Sequence, residues 1–141
     1  MLELSLACAL VPLALGNPSE DWPQFLGPER TGDAGAVELD FDWPESGPPV
    51  VWRAAIGPGF GGAAVQGGEV FLFDRVDHER DVLRVFSLDT GAELWSAGYA
   101  VPARLDFPGA RPVPTVVGTR VVACGGFGHV AVFSRETKSL D

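Results

Sequence analysis

Few side chains in this chain have the type and spacing that chemistry needs. Asp77-His78-Glu79 sets an imidazole between two carboxylates and could be read as a metal-ligand set. Neighbouring residues on an extended loop point in different directions, however, and structural metal sites use recognisable ligand spacings. The triplet therefore reads as a solvated hairpin tip. His129 follows Gly128 at the start of an apolar run, has no partner that would complete a catalytic constellation, and reads as a strand-edge residue. The stretch Gly57-Pro58-Gly59-Phe60-Gly61-Gly62 is glycine-rich, but it lacks the Lys and Ser/Thr of a phosphate loop and no helical pattern follows it. Glycine suits strained turns, so the stretch reads as a connection between structural units. Cys124, in VVACGG, has no electropositive neighbours to activate a thiol and is expected to behave as a small buried hydrophobe. Arg104, Asp106 and Arg111 flank a second connection and are the candidate ligand or partner surface. No catalytic, cofactor-binding or metal-ligating residue is assigned.

The elements that must position these residues are strands. The 18 Gly and 12 Pro recur between short apolar runs, which is the punctuation of strands and turns. A hydrophobic share of 46% against 21% charged residues allows a buried core. Residues 17–49 hold Pro, Gly, acids and scattered aromatics, and read as an irregular N-terminal arm anchored by Trp22, Phe25, Phe41 and Trp43. From Val50 the texture becomes that of an antiparallel all-β domain, with strands expected at 50–54, 62–65, 69–74, 81–87, 93–97, 113–116, 120–124 and 129–134. Gly67-Gly68 and Gly118-Thr119 can supply tight hairpin turns, and Asp89-Thr90-Gly91 an Asx-type turn.

The chain also repeats. AAVQGGEVFLF from Ala63 aligns with PTVVGTRVVAC from Pro114 at an offset of 51, and RVFSLDTGAEL with AVFSRETKSLD at an offset of 47. The difference of four is an insertion within DRVDHERD, expected to extend a surface hairpin. A third partial copy matches Val50-Val51-Trp52 to Glu93-Leu94-Trp95. Units of 40 to 50 residues with four short strands are the signature of propeller blades. Each blade has an apolar face that only a neighbour can cover. About two units are present, whereas closed propellers need roughly four to eight. The fold class is accordingly all-β: a partial β-propeller of about two four-stranded antiparallel blades at 50–141, truncated at the C-terminus or completed by another chain.

The opening DWPQFLGPERTG at 21–32 and the repeat ending LDTGAELW at 88–95 resemble the PQQ-like (pyrroloquinoline quinone-like) β-propeller repeat family. The resemblance covers most of the chain beyond residue 20. It implies that Trp95, and by analogy Trp52, are docking tryptophans that stack on an adjacent blade, with Thr90 and Gly91 shaping the turn that aims them. Lys138 stands where the first copy has Gly91, which departs from the pattern. Some members are quinoprotein dehydrogenases that hold PQQ and Ca²⁺, but this chain has no adjacent cysteine pair, a feature that packs beside the quinone in many of them, and no set of convergent oxygen ligands.

The apolar run from Leu4 to Leu15 fits the hydrophobic region of a signal peptide at 1–16, although no basic residue precedes it. Export to the periplasm or cell exterior is the expectation, with no membrane span once the leader is removed. Loss of the leader would leave Cys124 as the only cysteine and exclude an intrachain disulfide. A net charge of −9 disfavours nucleic acid and anionic membranes. The expected function is a non-catalytic binding or assembly scaffold, whose partners are the remaining blades or another protein. The alternative is part of a PQQ-dependent dehydrogenase whose catalytic residues lie outside this chain.

Overall fold

The computed structural model describes residues 21–36, 41–104, 106–107 and 109–141. The leader and the first residues of the arm lie outside this set. The described residues form eight strands and no helix: β1 (Ala64–Gln66), β2 (Glu69–Val76), β3 (Arg80–Ser87), β4 (Glu93–Ala100), β5 (Thr115–Val117), β6 (Arg120–Cys124), β7 (Val130–Ser134) and β8 (Ser139–Leu140). They make two four-stranded antiparallel sheets, each in simple sequential order, β1-β2-β3-β4 and β5-β6-β7-β8.

The equivalences seen in the sequence extend to single hydrogen bonds. The amide of Leu88 donates to the carbonyl of Gly68 in the first sheet, and the amide of Arg135 to that of Thr119 in the second. In the turns that follow, the Thr90 amide donates to the Ser87 hydroxyl and the Thr137 amide to the Ser134 hydroxyl. Lys138 takes a left-handed φ of 55°, matching Gly91 at 68°. The side-chain alternation of a strand puts Ala64, Phe71, Phe73, Leu83, Val85 and Trp95 on one face of the first sheet, where all are buried. Val116, Val121, Ala123, Ala131 and Phe133 of the second sheet belong to the same core. Large residues on one side meet small ones on the other, and Phe73 and Phe133 contact edge to face at 6.3 Å. Arg135 also joins the sheets: it reaches Glu69 and Gln66 with its guanidinium and lies over the Phe71 ring.

Three expectations need correction. Residues 50–54 form no strand. An apolar run is a strand only where its backbone finds a neighbour to pair with, and this segment is held instead by side chains: the Trp52 indole donates to the Leu88 carbonyl, and the Arg84 guanidinium donates to the carbonyl of Ala55 just beyond it. The insertion DRVDHERD is not all surface: it lengthens β2 and β3, and Asp74, Arg75 and Asp81 are buried. Cys124 is exposed rather than buried. Its counterpart in the first sheet is Phe73, which the second sheet covers. Nothing among the described residues covers the matching face of the second sheet, where Val130 is 70% exposed against 0% for its counterpart Leu83.

Candidate functional site

At one end of the sheets the two connections run side by side. Residues 57–62 lead into β1 and residues 109–112 towards β5, and Gly59 and Ala110 form a parallel bridge. The amide of Phe60 donates to the Ala110 carbonyl at 2.8 Å. The contact is so close that a Cβ on Gly109, which has φ of 102°, would collide with the Pro58 carbonyl oxygen. Only glycine permits that approach.

The arm closes over β1 and β5, the first strand of each sheet. Trp22 exchanges both backbone hydrogen bonds with Val65, the Asp21 carboxylate accepts from the Gly67 amide, and the Pro23 carbonyl accepts from Val116. The arm thus touches the first strand of both sheets. Between arm and connections lies an open cleft of about 640 Å³ lined by Trp22, Phe25, Leu26, Phe60 and Arg111 among others. A smaller one of about 350 Å³ adjoins it, bounded by Phe60, Phe107 and Arg111. Phe25, Phe60 and Phe107 are each about two-thirds exposed, and the Phe60 and Phe107 rings meet edge to face at 6.4 Å.

Of the candidate surface residues, Arg111 lines both clefts. Arg104 lines a different, polar groove with Asp77, His78 and Glu79, and Asp106 is exposed on the segment between them. The three are therefore not gathered into one site. Asp77 and His78 occupy the two central positions of a tight hairpin, with φ of 52° and 60°, the backbone of a type I′ turn. His129 is exposed beside the Tyr99 ring, 5.7 Å between centroids. Trp52 lies against the backbone of Gly91, and its indole N–H donates to the Leu88 carbonyl at 2.6 Å. Thr90 accepts from the Ala92 amide within the same turn. Trp95 is buried in the core between the sheets.

The buried polar cluster went unread in the sequence. Arg75 sits directly across the β2–β3 ladder from Asp81. Its guanidinium pairs with the Asp81 carboxylate, donates to the carbonyls of His78, Val101 and Ala103, and stacks over Phe127. The Tyr99 hydroxyl donates to the other Asp81 oxygen at 3.3 Å. Burial, and then the nearby Asp81 carboxylate, push the Tyr99 phenol up from 10.0 to about 12. Because the folded value is the higher one, this group's contribution to stability is complete below about pH 10 and is lost as pH rises through about 12. Tyr99 is the only tyrosine. The phenolate absorbance of the folded protein should therefore titrate as one step near the upper value, and that of the urea-unfolded chain near 10; coincident midpoints would show that the phenol is not held by the fold.

Quinone chemistry would need a Ca²⁺ held by six to eight oxygens. Among the described residues no three His, Cys, Asp or Glu side chains are grouped so as to hold a metal ion. The described residues do not form such a site. No known family model matches the chain, and no curated protein matches it.

Proposed function

We propose that this chain is part of an exported β-propeller of the PQQ-like repeat kind, serving as a binding or assembly scaffold rather than as an enzyme. One observation carries the reading. The face of the first sheet built from Phe71, Phe73, Leu83 and Val85 is buried against the second sheet, while on the equivalent face of the second Cys124 and Val130 are exposed and Val122 and Val132 are only half-buried. A repeat whose first copy needs its neighbour creates the same need in its second. A further sheet of the same kind, from this polypeptide or from a partner, is the cover that the pattern asks for.

The Cys124 thiol reports on this directly. In the chain alone it should react with a maleimide as an exposed thiol does. In a polypeptide or complex that supplies a further sheet, its labelling, read by mass spectrometry of the Cys124 peptide, should slow by roughly a hundredfold or more, since reaction then waits on local opening. Equal labelling in both forms would refute the stacking. Pyrroloquinoline quinone and Ca²⁺ titrated into the same assembly should leave its absorbance spectrum that of the simple mixture. A saturable quinone band with alcohol-dependent dye reduction would replace the scaffold reading with a quinoprotein dehydrogenase.

A further inference from the structure

We infer that the paired clefts around Arg111 are a docking groove for an extended peptide that carries a carboxylate between two apolar side chains. Phe60 and Arg111 are common to both clefts, so the groove is continuous: one apolar lobe is walled by Trp22, Phe25 and Leu26, and the other by Phe107. Among the described residues, Arg111 is the one charged residue lining either lobe. Its guanidinium is exposed and has no hydrogen-bond or ion-pair partner among the described residues. In a chain of net charge −9, a lone unpaired cation set among exposed aromatic rings is the complement of an anion with an apolar body. Arginine presents a planar fork of donors that fits a carboxylate with two parallel hydrogen bonds.

Two lobes flanking one cation ask for more than a single ring with an acid attached. Side chains at alternate positions of an extended segment share a face, so the simplest partner has apolar residues at positions i and i+4 and Asp or Glu at i+2. Contiguous exposed apolar surface rimmed by polar groups is the usual mark of an interaction site, and capture of acidic motifs by arginine is a recurring mode of peptide recognition. The inference does not rest on the propeller reading, because every residue of the groove belongs to the arm or to the two connections.

The test uses the full chain and a dye-labelled, end-capped peptide Phe-Ser-Asp-Ser-Phe, followed by fluorescence anisotropy. Saturable binding is expected, weakening as salt rises. Arg111→Gln and Phe107→Ala should each weaken it by roughly tenfold or more, as should exchange of the peptide's Asp for Asn, while Arg104→Gln, on the separate polar groove, should leave it unchanged. Both variants change exposed side chains, and an unaltered circular dichroism spectrum shows that they fold. Absence of saturable binding, or equal affinity for the Asn peptide, overturns the inference. So does displacement by free phenylpropionate at the peptide's own concentration, which would make the groove a small-molecule pocket, or self-association of the chain that the peptide fails to disrupt, which would assign the groove to a second copy.

Discussion

Replacing Arg75 with Ala should destabilise the folded chain by about 3–5 kcal/mol, the usual consequence of removing one partner of a buried ion pair. The size follows from what the substitution leaves behind. Asp81 is 1% exposed, and without the guanidinium its carboxylate keeps, among the described residues, only the hydroxyl of Tyr99, at 3.3 Å, as a side-chain donor. The carbonyls of Val101 and Ala103, which Arg75 ties to the hairpin, lose a charged donor at the same moment. Lys should not rescue the site, since an ammonium has no planar fork to address a carboxylate and several carbonyls at once. The paired replacement Arg75→Met with Asp81→Leu removes both charges and should recover most of the loss, because a well-packed apolar pair commonly equals a buried ion pair in stability. Urea denaturation of the four proteins measures this, with the shift read from the midpoint at constant slope. A cost below about 1 kcal/mol for the single variant would mean that water reaches Asp81 and that the cluster is not the buried clamp the geometry describes.

That cluster also shows where sequence reading ran out. The repeat was legible because matching turns fall at fixed offsets, with Gly67 over Gly118 and Thr90 over Thr137, and the alternation between them supplied the strands. The sequence places Arg75 and Asp81 on the surface with the rest of DRVDHERD, because charged side chains rarely occupy interiors unless paired. Their pairing depends on a strand register that places them opposite one another, and register is not a local property of the sequence. Cys124 failed for a related reason. Its apolar neighbours Val121 and Ala123 are buried against the first sheet, but Cys124 points the other way. Alternation says that two faces differ; which of them is covered depends on the next sheet. The same holds for 50–54, whose residues have strand character without a strand to pair with. At the candidate site, composition marked the aromatics of the arm as anchors; Trp22 meets the first sheet, whereas Phe25, Phe41 and Trp43 are 65%, 75% and 50% exposed. The meeting of Trp22 with Val65, and the cleft shared by Phe25, Phe60 and Arg111, depended on contacts between segments distant along the chain.

Gly91→Ala is the second change expected to have a large effect, about 2–5 kcal/mol. Two costs combine. At φ of 68° an L-residue carries roughly 1–2 kcal/mol of left-handed strain. The new methyl would also stand 2.5 Å from Cδ2 of the Trp52 indole, forcing the ring off the turn and adding about 1–3 kcal/mol of overpacking. The second sheet separates the two terms, since Lys138 holds the equivalent position at φ of 55° and shows that this turn admits a side chain where strain is the chief cost. Trp52→Ala alone should cost about 2–4 kcal/mol through lost packing and through the hydrogen bond from its indole to Leu88. In the double variant the methyl has no ring to collide with, so the combined cost should fall short of the sum by at least about 1 kcal/mol, a coupling that a double-mutant cycle reads directly. Additive costs would mean that the indole does not rest on Gly91 in solution. The segment at 50–57 would then be held against the first sheet only by its hydrogen bonds with Arg84 and Asp74 among the described residues.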